Sequence, residues 1–116
     1  MGESSLYAEI LSAYSHGDTR LFRTNSALAW QGKVIEHTPT LLVLAHPRAI
    51  RFGAPGMSDL TGWSAGGIYT AIECKVGRRK PTDEQAAFIE LVRRSGGRAG
   101  VARSVEEAGM IIRGDV

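Results

Sequence analysis

Apolar positions change their period along the chain, and each change marks an element. Leu6, Ile10, Ala13 and Tyr14 recur at i, i+4, i+7 and i+8, which predicts a first helix over residues 4–16, ended by "HGD" at 16–18. "LFRTN" at 21–25 predicts a strand that "ALAW" continues or follows, and "QGKV" at 31–34 reads as a turn. "TLLVLA" at 40–45 and "AIRFG" at 49–53 read as two short strands around His46-Pro47. A short strand near 58–63, the tight turn "SAGG" and "IYTAIECKV" at 68–76, the clearest strand of the chain, follow in order. After the loop "GRRKP", Pro81 precedes Thr82, Asp83 and Glu84 fill a first helical turn, and Gln85 stands where a capping box needs it. That helix runs to about Arg94 with Gln85, Phe88, Ile89 and Val92 on one stripe, and "SGG" stops it. "RAGVAR" at 98–103 is a strand, and Ser104 with Glu107 is a second capping box opening a helix to about Ile112. The order is helix, several strands, helix, strand, helix, which predicts an α/β or α+β fold on a mixed sheet.

In "AIECKV" the period of a strand places Ile72, Cys74 and Val76 on one face, and Ala71, Glu73 and Lys75 on the other. Two opposite charges on one side of an apolar strand need a partner, solvent or a task. A carboxylate, a spacer and a lysine is a common accident: with 12 acids and three lysines in the chain, roughly 0.3 such triplets arise by chance. Context raises its value. If the strands at 58–63 and 68–76 form a hairpin around "SAGG", Asp59 approaches Glu73 across the pair, at the ~5 to 8 Å of cross-strand neighbours. Two facing carboxylates repel unless one takes a proton or both share a cation. A hard divalent ion accepts one or two carboxylates and keeps several waters. The alternative is a plain cross-strand salt bridge between Lys75 and Asp59 or Glu73.

Composition narrows the field without deciding it. At 116 residues, 43% hydrophobic and 22% charged, the chain is expected to be one domain, 1–116, with one core. No apolar run approaches the ~20 residues of a membrane span, and no signal peptide is visible. The single cysteine, Cys74, excludes an internal disulfide framework and a cysteine-rich zinc site. Together these predict a cytoplasmic protein, of cellular or phage origin. The net charge of +2 is small, but residues 75–103 hold eight basic side chains against Asp83, Glu84 and Glu90. Such a cluster steers a polyanion or is simply a solvated basic face.

"GMSDLTGW…GGIYTAIECKVGRRKPTDEQ" resembles the VRR-NUC domain, a branch of the PD-(D/E)XK nuclease superfamily. The matching elements are Gly56, Asp59-Leu60, Glu73-x-Lys75 and Thr82-x-x-Gln85, with "ESSLYAEIL" at 3–11 and "FRTN" at 22–25 similar to the first helix and an Arg-x-Asn strand. The resemblance implies a restriction-endonuclease-like αβββαβ core, a mixed sheet flanked by helices, and metal-dependent phosphodiester hydrolysis. It implies Asp59 and Glu73 as metal-binding acids, the carbonyl of Cys74 as a further ligand, Lys75 as the catalytic lysine, and Gln85 and Glu3 as further catalytic positions. On the helical wheel Glu3 points closer to the apolar stripe than its substitute, Glu9; a capping role is the other reading of Gln85. Two departures stand out: Ser58 where the family often has proline, and Ala27 where it often has glycine.

The implied cofactor is Mg²⁺ or Mn²⁺, and the implied substrate is DNA. Small members of this kind resemble Holliday-junction resolvases, so branched DNA and a homodimer are expected, with "TLLVLAHPRAI" as dimer interface or core. The alternatives are a nicking or flap-type endonuclease without junction preference, and an inactive nuclease-fold DNA-binding module. Arg23, Arg78, Arg79 and Lys80 are the candidate phosphate contacts. Trp30 and Trp63 could stack on bases, although core or interface packing is the commoner use. His16, His37 and His46 show no ligand spacing and read as surface or turn residues.

Overall fold

The computed structural model describes residues 2–24 and 27–116. Its elements are α1 (Glu3–Tyr14), β1 (Arg20–Arg23), β2 (Ala27–Thr38), β3 (Leu41–Phe52), β4 (Leu60–Ser64), β5 (Ile68–Cys74), α2 (Asp83–Arg94), β6 (Arg98–Ala102) and α3 (Val105–Arg113). With β2 and β3 set aside, the order is the expected αβββαβ followed by a C-terminal helix. The main sheet runs β1-β4-β5-β6. Its first three strands are antiparallel neighbours, and β6 lies parallel to β5 because α2 crosses over between them. The sheet is mixed, and three helices flank it.

Both faces of the central strands are covered, which is why β5 reads almost continuously apolar. On one face Leu60, Ile72, Cys74 and Ala102 pack with Leu6, Tyr7 and Ile10 of α1 and with Ala108, Ile111 and Ile112 of α3. On the other, Ala71 and Ala99 pack under Ile89 and Val92 of α2. The alternation read from "AIECKV" is therefore the one observed. The α2 stripe also holds, with Ile89 and Val92 buried and Phe88 packed beside them. In α1 the buried set is Leu6, Tyr7 and Ile10, and Ala13, expected on the stripe, is exposed. The helix stops at Tyr14, because Ser15 leaves helical geometry and "HGD" follows in bend and turn.

The capping box of α2 forms in full: Thr82 Oγ1 accepts from the Gln85 N–H at 3.2 Å, and Gln85 Oε1 accepts from the Thr82 N–H at 2.8 Å. The second box is half formed. Ser104 Oγ accepts from the Glu107 N–H at 3.2 Å, but Glu107 reaches one residue further back, to the Arg103 N–H at 2.6 Å.

The middle of the chain corrects the expectation most. "QGKV" is not a turn; it lies inside the twelve-residue β2. "ALAW" opens that strand rather than extending β1. "TLLVLA" and "AIRFG" belong to one strand, β3, joined through a register shift opposite Gln31 and Lys33, with His46 at φ 52°. A bulge absorbs the irregularity that "His-Pro" was expected to turn into a break. β2 and β3 pair in a sheet of their own, and no residue from 28 to 51 is buried. The segment "TLLVLAHPRAI" is thus no part of a core. The radius of gyration, 16.5 Å, exceeds the ~13 Å of a compact chain of this length, as a projecting ribbon requires. Asn25, expected in the Arg-x-Asn strand, lies outside the described residues. No helix among the described residues is long and apolar enough to cross a membrane.

Candidate active site

The site forms where β4 begins and β5 ends. The β4–β5 hairpin turns through "SAGG" as expected and sets Leu60 opposite Ile72, so Asp59, one residue before β4, stands at the level of Glu73. The Asp59 carbonyl accepts from the Thr24 N–H at 2.9 Å, continuing the β1 ladder, and Asp59 Oδ2 accepts from the Cys74 N–H at 2.8 Å. The second bond ties the aspartate to the end of the strand that bears Glu73. Lys75 lies just past β5, but its N–H donates to the Ala102 carbonyl at 3.1 Å, so strand geometry continues and returns its side chain to the Glu73 side. Lys75 Nζ is 3.8 Å from Glu73 Oε1.

Gly56 prepares this arrangement. It adopts φ +77°, and a Cβ there would collide with the Glu84 carbonyl in the first turn of α2. A glycine is needed for the loop before Asp59 to lie against the helix end.

The charged groups are deeply buried: Glu73 is 1%, Asp59 6% and Lys75 7% exposed. Burial, then the neighbouring Asp59 charge, push the Glu73 carboxyl up to about 8, against a smaller opposing pull from Lys75. Burial first, and then Asp59, push the Cys74 thiol up to about 12, so that thiol stays protonated and inert. Glu73 Oε2 is buried without a hydrogen-bond partner, and so is Ser58 Oγ. A buried carboxylate crowded by a second one, with an orphaned oxygen, fits a divalent cation. Among the described residues no cluster of three or more His, Cys, Asp or Glu side chains could hold a metal. Asp59, Glu73 and a main-chain carbonyl with waters completing the shell is the donor set a small hard cation takes.

The other expected residues are placed as follows. Glu3, at the start of α1, forms an ion pair with Arg79 at 2.8 Å, which links the first helix to the basic loop. Its charge is felt at Tyr7 and Cys74, whereas Glu9 is exposed. Gln85 sits at the α2 cap with its amide oxygen engaged by Thr82. Arg23 places its guanidinium over the Tyr7 ring, 4.1 Å from the centroid. Arg78, Arg79 and Lys80 are exposed in the loop after the site, and Arg103 Nη1 pins that loop through the Gly77 carbonyl at 3.1 Å. His16, His37 and His46 are all exposed.

Sequence reasoning missed Tyr7. Its phenol is pushed upward, first by burial and then by Asp59, so it is a neutral hydroxyl beside the acids. The available signal was its spacing: Tyr7 follows Glu3 by one helical turn and precedes Ile10 by three residues, on the buried side.

The family model described as the VRR-NUC domain matches residues 14–106. The match spans Asp59, Glu73, Cys74, Lys75, Gln85 and the basic loop. It leaves out nearly all of α1, so the placing of Glu3 rests on geometry. No curated protein matches the chain.

Proposed function

We propose, from the premise that this chain belongs to the VRR-NUC domain family and so carries a PD-(D/E)XK-type nuclease domain, that it is a divalent-metal-dependent endonuclease acting on branched DNA. The observation that carries the metal dependence is the buried Asp59–Glu73 pair with its unpartnered Glu73 Oε2. Asp59, Glu73 and the Cys74 carbonyl would hold Mg²⁺, or Mn²⁺ in its place, which supplies a water of lowered pKa and neutralises charge at the scissile phosphate.

The chain's own groups do the rest. The Cys74 N–H donates to Asp59 Oδ2 and so fixes that carboxylate beside the end of the strand that bears Glu73. Lys75, held on the Glu73 side, orients the attacking water or stabilises a phosphate oxygen. Arg78 and Lys80 lie exposed in the adjoining loop, where phosphates of the flanking strand pass. Arg79 joins them once it exchanges Glu3 for a phosphate; their exposed ion pair is weak enough to permit that.

A homodimer acting on the two strands of a junction suits this domain. The β2–β3 arm supports it: Leu28, Trp30, Val34 and Leu42 are exposed, and Trp30, Leu42, Leu44 and Pro47 line a hollow of about 360 Å³ on one face.

The test is cleavage of a labelled four-way junction against a linear duplex of the same sequence, with Mg²⁺ and with chelator. Metal-dependent cutting that favours the junction is expected, and Glu73→Ala is expected to abolish cutting while DNA binding persists. Full activity in Glu73→Ala would remove the assignment. Equal cutting of both substrates would favour a nicking or flap-type enzyme.

A further inference from the structure

The face of the sheet that carries Glu73 is covered by α2 over β5 and β6 and left bare over β1 and β4. Three aromatic side chains stand on or at the border of that bare part: Phe22 on β1, Trp63 on β4, and Tyr69 near the start of β5, where it lines a hollow with Phe88 and Leu91 of α2. Phe22 faces the Thr61 position and Trp63 faces Tyr69, so by strand alternation all three rings share the side of Thr61, Ala71 and Glu73. They are 51%, 44% and 43% exposed in the order Phe22, Trp63, Tyr69. The Phe22 and Trp63 rings lie 6.0 Å apart at 52°, a tilted pair that holds each ring in place.

The row leads towards the acids. Thr61, opposite Phe22, is two residues from Asp59, and Tyr69 is four from Glu73. At ~3.3 Å per residue the rings span about 7 to 13 Å from the site, a reach of a few nucleotides. Arg20 stands on the same face opposite Trp63. Its guanidinium is held by the Gly17 and Thr19 carbonyls, both at 2.7 Å, rather than by a carboxylate, so its charge is left for an anion. The exposed apolar surface of the β2–β3 arm is largely aliphatic and suits a protein. Rings with a free cation, in line with a phosphodiester site, suit nucleobases, whose faces stack on aromatic side chains while basic groups take the backbone.

We propose that Phe22, Trp63 and Tyr69 form a stacking platform for unpaired bases, which favours branched DNA whose bases are unpaired beside the scissile bond. The inference rests on the nuclease reading and names the substrate feature that site would prefer.

The experiment uses the full chain carrying Trp30→Phe, so that Trp63 is the sole tryptophan, in chelator so that nothing is cut. Titration with a short oligothymidylate is expected to quench Trp63 fluorescence. By anisotropy with labelled oligothymidylate, Trp63→Ala is expected to weaken binding about tenfold, more than it weakens duplex binding, and Trp63→Phe to recover most of the loss. Phe22→Ala should weaken it in the same sense, which guards against one misfolded variant. Absence of quenching, or unchanged affinity in both alanine variants, overturns the platform. So does a wild-type dimer that Trp63→Ala converts to monomer with DNA affinity intact, since the face would then belong to a second copy. The two readings fail separately: cutting without quenching removes the platform alone, and quenching by a protein that cuts no DNA removes the nuclease reading alone.

Discussion

At Glu73, burial and the adjacent Asp59 charge act in the same direction, and the carboxyl keeps its proton up to about pH 8 in the metal-free fold. The unfolded chain releases that proton near the ordinary value of 4.5. Between those limits the folded state binds the extra proton, so stability falls as pH rises, by about 1.4 kcal/mol per pH unit for one group, and levels off above about 8. Urea denaturation in chelator from about pH 5 to about pH 9 should show that decline, and Glu73→Gln should flatten it. A carboxyl stabilised in its charged form would give the opposite slope. Ser58 is the second residue whose burial leaves an oxygen unpartnered. Removing an unsatisfied buried hydroxyl relieves its desolvation penalty, so Ser58→Ala is expected to stabilise the protein by about 1 kcal/mol in the same measurement.

At the scale of elements, α2 holds the site from one side. Its capping box fixes Thr82 and Gln85 to each other, and its first turn receives Gly56 from the loop that delivers Asp59. Gln85→Ala should cost about 1 kcal/mol and Gln85→Glu should restore it, since either side chain closes a capping box. Cleavage by the stable Gln85→Glu protein then separates the cap from a catalytic part: wild-type rates mean a cap alone, and a slow, stable enzyme means that the amide serves the site. This ambiguity was visible in the sequence, because a helix-stripe position and a capping position coincide at Gln85. The box at Ser104 was legible only in its local half; Glu107 takes the Arg103 N–H, one residue before the cap, just past the end of the preceding strand.

At the scale of the whole molecule, the β2–β3 arm is a separate two-stranded sheet with no buried residue from 28 to 51. An isolated hairpin is marginal in water, and exposed apolar side chains of this kind commonly mark contact surfaces. If the arm joins two copies, Val34→Glu with Leu42→Glu should convert a dimer to a monomer in sedimentation velocity while leaving the melting of the main domain nearly unchanged. A wild-type chain that sediments as a monomer at high concentration would remove that role. Sequence pattern left core and interface both open for this segment, because the apolar positions of an arm look like those of core strands. Alternation tells which side chains share a face; it does not tell whether anything lies opposite.

The sequence by itself determined the order of the core elements, the two faces of β5 with Glu73 and Lys75 on one side, and the start of α2. Each of these follows from interactions between residues a few positions apart, which composition and spacing encode directly. Only the tertiary structure decided that Asp59 is tied to the Cys74 N–H, that Tyr7 stands beside the acids, and that β2 and β3 leave the core. Those outcomes depend on how distant segments meet, on a glycine that lets a loop touch a helix end, and on register shifts that let one irregular strand continue past a proline.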